Sequence, residues 1–289
     1  MQNFINQIDT RSFNVLSLTD QQKLGQIISR ELAGKYGYVL LTNLNYDTEN
    51  CSQREWVLTE LASYLGVPEG HNADGKIIWD VKPKIQTASK ITTFSEHQDE
   101  APPHNDSVYS ENIEDFFGLA VVKPASDGGG RSQITCNASI IQELKGTEDG
   151  CRTLEILRNE LFPFAIPTVF MGKEGDTTKE VIIAPVLEQE DFTRFRLDLI
   201  LKGFEKAPDL WSEAKEKAVR KFYELATSGR HTQEFFMEKG YILFGHNRRI
   251  LHSRTPFLDS ERHLLRIRMR AFEDSTMEKR GTESLSYKK

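Results

Sequence analysis

Two stretches near the start of the chain repeat apolar residues at helical spacing. The first follows a capping box at Thr19 to Gln22, in which a threonine caps the first turn and a glutamine reaches back. The second follows a capping box at Ser52 to Glu55, and glycines stand at the expected helix ends, Gly34 and Gly66. The pattern predicts two early helices, with apolar positions Leu24, Ile27, Ile28 and Leu32 in the first and Trp56, Leu58, Leu61 and Leu65 in the second.

Between and after these helices the pattern changes to short runs that are typical of strands. Tyr36 to Leu44 is rich in Val, Leu and Tyr and is expected to form a buried strand. Further strands are predicted at 77–81, 117–122, 133–136, 181–186, 240–244 and 264–272, and further helices at 139–144, 152–162 and 210–227. Many short strands with inserted helices predict a mixed α/β chain with a mainly β core, a sandwich or barrel with helices packed outside.

No internal repeat and no linker divides the chain. We therefore expect a single domain over residues 1–272, followed by a polar, flexible tail over residues 273–289.

Composition excludes several classes of partner. Of the 289 residues, 38% are hydrophobic and 28% charged, which predicts a folded globular protein, and the net charge of −6 with no basic stripe argues against nucleic acid. Apolar runs are too short to span a membrane, and the first residues do not resemble a signal peptide. Three unpatterned cysteines are typical of reduced thiols, so we expect a cytoplasmic protein.

The segment Pro102 to Asp106 has the composition of half a metal site. It places His104 and Asp106 two residues apart, and on an extended strand such residues point to the same face. A second histidine would complete a two-histidine, one-carboxylate set, which is diagnostic of non-haem Fe(II) oxygenases. The pair His97 and Asp99 has the same spacing, and spacing alone does not choose between the two.

A histidine and two arginines further along supply what the first half lacks. His252 is the best-placed third ligand, Arg262 follows it by ten residues, and Arg266 lies on the predicted strand 264–272. A guanidinium can hold a carboxylate through two parallel hydrogen bonds, so an arginine here suits a dicarboxylic cosubstrate that chelates the metal with its other end.

With these residues in this order, the chain resembles the TauD/TfdA family of Fe(II)- and 2-oxoglutarate-dependent dioxygenases, and most closely its clavaminate-synthase-like branch. The similarity runs from about Thr19 to Phe272. The three motifs at 101–109, 115–132 and 245–270 are specific as an ordered set, whereas each alone is a weak signal. The matching stretches are 38–44, 61–68, Ala101-Pro102-Pro103-His104-Asn105-Asp106-Ser107-Val108-Tyr109, 115–132 and 245–270.

The resemblance implies a double-stranded β-helix, which is a jelly roll of two sheets, forming one catalytic dioxygenase domain. It implies that His104, Asp106 and His252 bind Fe(II), and that 2-oxoglutarate and O2 are the other reactants. Related halogenases replace the carboxylate ligand with a small residue so that chloride can bind the iron. The presence of Asp106 therefore favours oxygen transfer over chlorination.

The resemblance also implies how the cosubstrate and substrate are held. Arg262 would bind the distal carboxylate of 2-oxoglutarate, and Ser132 stands where the family often has a threonine that bonds the same group. Arg266 matches a second family arginine that often holds an acidic group of the substrate. The assignment of the two arginines stays open, because the loop between His252 and Arg262 varies in length within the family.

The expected reaction is hydroxylation of an unactivated C–H bond in a small polar molecule, with release of succinate and CO2. A carboxylate-bearing amino acid or derivative fits Arg266, and a basic one fits the acidic segment Ser95 to Glu100 if that segment faces the pocket; otherwise the segment is a solvated loop. Three alternatives stay open. They are a desaturase or cyclase variant of this chemistry, a non-catalytic jelly-roll binding or sensing protein, and a zinc hydrolase, which would leave Arg262 without a role.

Overall fold

A computed structural model of the chain describes residues 5–70, 75–84, 94–168 and 179–272, so the predicted tail, 273–289, lies outside the described residues. No helix in these ranges is long and apolar enough to cross a membrane. The helices are α1 (Leu18–Ala33), α2 (Cys51–Ser63), α3 (Asn137–Leu144), α4 (Glu148–Asn159), α5 (Leu197–Lys206) and α6 (Glu213–Thr227). The strands are β1 (Gln7–Asp9), β2 (Tyr38–Thr42), β3 (Gly66–Pro68), β4 (Trp79–Val81), β5 (Ala101–His104), β6 (Phe116–Lys123), β7 (Ser132–Cys136), β8 (Phe162–Ala165), β9 (Val181–Ala184), β10 (Thr232–Phe235), β11 (Ile242–His246), β12 (Ile250–Arg254) and β13 (His263–Ala271).

The strands form two main sheets that face each other. The major sheet has the order β1-β2-β11-β6-β13-β3, with β4 also paired to β13. The minor sheet has the order β10-β7-β12-β5, and β8 and β9 form a separate pair. Strands distant in sequence pair antiparallel, such as β11 with β6 and β12 with β7. The predicted two-sheet jelly roll with outer helices is confirmed.

Three apolar layers follow from the alternation of side chains along these strands. On β13, Leu265, Ile267 and Met269 pack with α1 and α2 outside the major sheet. The helices α3 to α6 form a second layer against the minor sheet, which contributes Leu251. The third layer lies between the sheets and includes Tyr38, Leu40, Phe117, Ile134, Leu243, Ile250 and Leu264. The candidate site residues lie beside this inner layer.

The major sheet needs a glycine next to the inner layer. Gly245 of β11 pairs with Phe117 of β6, and a Cβ on Gly245 would lie 2.5 Å from the Phe117 ring. The missing side chain leaves room for this ring, whose centroid lies 4.7 Å from that of His252.

Both predicted capping boxes are wrong by two residues. Helix α1 begins earlier, with Ser17 at its N-cap and Thr19 inside the first turn. The N-cap of α2 is Asn50, whose side chain accepts a hydrogen bond from the backbone N–H of Gln53. The asparagine therefore has the capping role that the sequence had assigned to Ser52.

Several short elements are missing from the sequence-based prediction or differ in their bounds. Helix α2 ends at Ser63, and Gly66 begins β3 instead of ending the helix. Phe162 was placed in a helix but begins β8. Helix α5 was missed, although its buried residues Leu199, Ile200, Gly203 and Phe204 recur at helical spacing. The strands missed are β1, β3, β8, β10 and β12. None is longer than five residues, so the alternation of apolar and polar residues is too short to be recognised.

His246 provides a test of the packing at the end of β11. Its ring lies between Phe116 and Phe192, with centroids 5.0 Å away on each side, and its Nδ1 has no hydrogen-bond partner among the described residues. Burial, assisted by Arg249 and Arg248, lowers the pKa of His246 from 6.5 to about 3.

Because the unfolded chain takes up this proton near pH 6.5 and the folded chain does not, stability falls as the pH drops from about 6.5 toward 3. Between pH 7.5 and pH 5, we expect the free energy of unfolding to fall by about 2 kcal/mol less in His246→Phe than in the wild type. Urea unfolding at both pH values measures the difference. The same loss in both proteins would contradict this account of His246.

Candidate metal centre and adjoining cavity

Two paired strands of the minor sheet bring the predicted histidines together. His104, the last residue of β5, is directly opposite His252 of β12 in the antiparallel register. Their ring centroids are 4.2 Å apart. On β12, Ile250, His252 and Arg254 share the face that points between the sheets, because alternate residues of a strand lie on one side. The strand register therefore fixes the relative position of the two imidazoles.

Asp106 joins these histidines to complete a cluster of three donors. Its Oδ1 lies 3.9 Å from Nε2 of His104 and 3.9 Å from Nε2 of His252. Ligand atoms of the three residues all lie within 4.8 Å of one another, and they form the cluster of metal-ligand side chains found in the described ranges. Two donors sharing one ion lie at most about 4.2 Å apart, twice a metal–nitrogen bond, so both contacts with Asp106 fit a common ion.

The hydrogen bonding of His104 suits a metal ligand. Its Nδ1 lies 2.8 Å from the carbonyl oxygen of Pro102, which can only accept, so Nδ1 carries the proton. This leaves the lone pair on Nε2, the atom that faces Asp106. Such a bond from the far ring nitrogen is the usual way in which proteins orient a metal-binding histidine.

Burial keeps both imidazoles in the form that binds metals. It lowers the pKa of His252 to about 4 and that of His104 well below its ordinary value, with the neighbouring His252 adding to the effect on His104. Both rings are therefore neutral at physiological pH. Metal binding requires neutral imidazoles, so no proton has to leave.

Asp106 lies beyond the end of β5, whereas the sequence predicted that it lies on the same strand as His104. Strand β5 ends at His104, and Asp106 belongs to the turn that follows, in which Ser107 has a positive φ of 55°. The expectation that residues i and i+2 share a face of one strand is therefore wrong for this pair. The two side chains converge because of the turn.

A buried asparagine between the two ligands holds that turn in place. The side chain of Asn105 donates to the carbonyls of Asn247 and Ile250 and accepts from the Thr193 hydroxyl and the Phe195 backbone N–H. With no exposed surface, it uses the full capacity of its amide on two separate segments, 193–195 and 247–250.

A second asparagine fixes the backbone of Asp106 itself. Asn247 Oδ1 accepts from the Asp106 N–H at 2.8 Å, and its Nδ2 donates to the carbonyls of Asp106 and Glu114. The sequence-based reasoning missed both asparagines. Each asparagine lies within a stretch that matches the family, which could have marked it as a candidate. Nothing in the sequence alone indicated that the two asparagines contact each other.

Two arginines of β13 stabilise the charge of Asp106. Nη1 of Arg266 lies 3.4 Å and Nε of Arg268 3.3 Å from its Oδ2. Burial alone would raise the pKa of Asp106, but Arg266 and Arg268 hold it well below its usual value. Arg268 also donates to Ser107 and Glu114, and it was missed although it shares a strand face with Arg266.

A cavity of about 630 Å³, including its open mouth, extends from the three donors between the two sheets. Its walls are mainly apolar, as is usual for a small-molecule site. Its polar lining includes His104, Asp106, His252, Ser132, Gln133, Ser95, Ser253, Arg254, Arg262 and Arg266. All six residues predicted to bind metal, cosubstrate or substrate therefore line one cavity.

Arg262 is a buried cation without a carboxylate partner among the described residues. Its guanidinium donates to the Gly130 carbonyl at 3.3 Å and lies 4.9 Å from the centroid of Phe257. Burial, with some repulsion from Arg254, lowers its pKa to about 9, so it stays charged at neutral pH. A Cβ on Gly130 would lie 2.6 Å from Nε of Arg262, so the predicted glycine turn makes space for this arginine.

Ser132, the first residue of β7, also reaches the cavity. Its hydroxyl lies 3.3 Å from the Met237 sulfur, a weak acceptor, so the hydroxyl is available for a stronger one.

The competing pair lies elsewhere. The Asp99 side chain is 89% exposed, and neither His97 nor Asp99 lines the cavity. The other carboxylates of the segment also face away, since Glu96 pairs with Lys84 and Glu100 is exposed. The solvated-loop interpretation of residues 95–100 therefore describes Asp99 and Glu100, whereas the side chain of Glu96 is 14% exposed and paired with Lys84.

A family model described as taurine catabolism dioxygenase TauD, TfdA family matches residues 6–268 of the chain. A search of curated proteins gave no match.

Several solved structures share the fold. Asparagine oxygenase in complex with Fe(II), 2S,3S-3-hydroxyasparagine and succinate is 17% identical with a TM-score of 0.66, over 88% of this chain and 80% of that one. The non-haem iron oxygenase OrfP in complex with Fe and alpha-ketoglutaric acid is 17% identical with a TM-score of 0.64, over 92% and 84%. PvcB from Pseudomonas aeruginosa is 15% identical with a TM-score of 0.61, over 93% and 88%.

Replacing the buried amide tests whether Asn105 supports the metal centre. Asn105→Ala leaves two carbonyls, a hydroxyl and an N–H without their partner, and we expect a loss of about 2–4 kcal/mol in stability together with weaker binding of divalent metal. Thermal unfolding and calorimetric titration with Mn²⁺ measure the two effects. Asn112→Ala, at an exposed position nearby, is the control and should change stability by less than about 0.5 kcal/mol. Equal behaviour of the two variants would rule out this role.

Proposed function

The chain belongs to the TauD/TfdA family of Fe(II)- and 2-oxoglutarate-dependent dioxygenases, and from this premise we propose that His104, Asp106 and His252 hold its iron. The observation that carries the proposal is the convergence of these three donors on one cavity that also holds the unpaired cation of Arg262. Two neutral imidazoles and one carboxylate leave other positions of an octahedral ion free for ligands. Bound Fe(II) and 2-oxoglutarate supply the activation of O2, which yields succinate, CO2 and an oxidised substrate.

The different contacts of the two arginines support one assignment for each. Arg266 of β13 contacts Asp106 and so lies at the metal end, whereas Arg262 lies just before β13, donates to the Gly130 carbonyl and forms no ion pair with Asp106. The two carboxylates of 2-oxoglutarate lie at opposite ends of the molecule, and its keto acid end is the chelating one. Arg262, assisted by the hydroxyl of Ser132, therefore binds the distal carboxylate.

Arg266 has capacity left for a second anion. Its Nη1 makes long contacts with Asp106, and its buried Nε has no hydrogen-bond partner among the described residues. A ligand carboxylate next to the metal would supply that partner.

We propose that the substrate is an amino acid or amino-acid derivative that is hydroxylated at an unactivated C–H bond. Its carboxylate suits Arg266, and similar folds occur in an asparagine oxygenase and in OrfP in complex with hydroxylated arginine. A basic side chain would find no acceptor in Glu96, Asp99 or Glu100, because none of them lines the cavity. The acidic segment therefore gives no support for a basic substrate.

In this reaction the protein positions the reactants and excludes water. The apolar walls, with Phe117 against His252 and Phe94 against His104, keep bulk solvent from the donors. The two arginines hold the anionic ends of cosubstrate and substrate at fixed distances from the metal.

The metal assignment is tested by a spectrum. Anaerobic protein with Fe(II) and 2-oxoglutarate should show the weak visible absorption of their chelate. The band should be lost in His252→Ala and kept in the control His231→Ala, whose histidine pairs with Glu143 away from the cavity. A full band in His252→Ala, or zinc as the tightly bound metal, would refute the proposed centre.

The cosubstrate assignment is tested by kinetics. Arg262→Gln loses a charged, two-bonded contact with the distal carboxylate, and we expect the KM for 2-oxoglutarate to rise about 100-fold. Arg266→Gln should act more strongly on the KM for the amino acid. Arg230→Gln, at an exposed ion pair with Glu143, is the control. The opposite ranking of the two cavity variants would exchange their roles.

Substrate class is tested by succinate release across a panel of amino acids and sulfonates. We expect stimulation by at least one amino acid, with an oxygen-added product at a ratio near one to succinate. No stimulation by any amino acid would refute the proposed class, and a chlorinated product without hydroxylation would refute the proposed reaction.

A further inference from the structure

One wall of the cavity is formed by a segment that is not part of either sheet. Residues 94–99 lie in turns and bends immediately before β5, and Phe94 and Ser95 line the cavity. The Phe94 ring lies 5.0 Å from the ring of His104. The guanidinium of Arg196 lies 4.0 Å from the Phe94 centroid. The position of this segment therefore determines the surroundings of a proposed iron ligand.

One side chain of the minor sheet makes three hydrogen bonds to this segment. From the inward face of β12, the guanidinium of Arg254 donates to the carbonyl of Phe94 at 3.1 Å, to that of His97 at 3.0 Å and to that of Asp99. Arg254 is buried, 8% exposed, and pairs with no carboxylate at ion-pair distance among the described residues. Burial lowers its pKa to about 10, so it is charged at neutral pH.

Two further bonds fix the same segment to the residues after β12. The Gln98 carbonyl accepts from the Phe257 N–H at 3.1 Å, and the Gln98 side chain donates to the Leu258 carbonyl at 2.6 Å. The Phe257 ring has Arg254 4.7 Å and Arg262 4.9 Å from its centroid. The attachment of the wall and the proposed anchor of 2-oxoglutarate thus share one aromatic ring.

We propose that Arg254 is a positioning residue that holds residues 94–99 against the cavity, and that this keeps substrate oxidation coupled to consumption of 2-oxoglutarate. The second clause rests on the proposed function, whereas the first does not. Arginine is required for its shape as well as its charge, because three carbonyls around one planar group need a fork of N–H donors that the single ammonium of a lysine does not reproduce. A displaced wall would let water reach the metal site.

The test compares wild type with Arg254→Lys, which keeps the charge, and Arg254→Gln, which removes it. Amide hydrogen exchange is followed by mass spectrometry on full-length protein with Mn²⁺ and 2-oxoglutarate. We expect peptides covering residues 94–99 to exchange at least ten-fold faster in both variants, while peptides from β6 and β11 stay unchanged. Arg230→Lys, at an exposed position, is the matched control.

A second readout separates positioning from mere stability. With Fe(II) and the best substrate of the amino-acid panel, the ratio of oxidised product to succinate should fall at least three-fold in both Arg254 variants, at a temperature where both remain folded by circular dichroism. If one variant does not fold, the other decides.

Unchanged exchange at residues 94–99 overturns the proposal, and with a raised KM for 2-oxoglutarate it would identify Arg254 as a second cosubstrate anchor. Faster exchange with an unchanged ratio overturns the positioning role. If the wild type consumes no 2-oxoglutarate at all, the proposed function fails, while hydrogen exchange still decides whether Arg254 holds the wall.

Discussion

A buried carboxylate requires positive charge around it, and the inward face of β13 supplies that charge to Asp106. Arg266 and Arg268 both reach its oxygens, and Glu114 balances the second arginine. Removing a charge from water is unfavourable unless partners replace the solvent, so the two arginines make the burial of Asp106 possible. Because the other face of the same strand packs on α1 and α2, the outer apolar layer and the charge balance of the site depend on one strand.

The three donors of the site are positioned by different interactions. His252 and His104 are positioned by strand pairing, whereas Asp106 lies in a turn and has no strand neighbour to orient it. The amides of Asn105 and Asn247 supply the missing constraint with bonds to backbone groups of the turn and of the β11–β12 connection. Each ligand is thus held by a different kind of interaction, and the three meet at one end of the cavity.

The sequence predicted the parts of this site that depend on residue type and order. His104, Asp106, His252 and Arg262 could be named because metal and carboxylate binding demand those side chains, and the alternating pattern indicated most of the longer strands. The turn at Asp106 could not be predicted, because the positive φ of Ser107 and the amide of Asn105 depend on contacts with residues about 90 or more positions away. Arg268 was detectable by alternation along the predicted strand 264–272, whereas Arg254 lies on β12, which the sequence did not predict. Nothing local indicates which acceptor either arginine contacts.

Arg254 and Arg262 show why burial alone does not identify a ligand-binding arginine. Both are buried, both lie near the ring of Phe257, and burial lowers the pKa of each. Three of the five N–H donors of Arg254 bond to backbone carbonyls, whereas Arg262 has a single carbonyl at 3.3 Å. A guanidinium carries five N–H donors, so most of those on Arg262 remain available within a mainly apolar cavity. An anion that enters the cavity therefore gains most at Arg262, and the polar groups that occupy Arg254 reserve it for holding the wall.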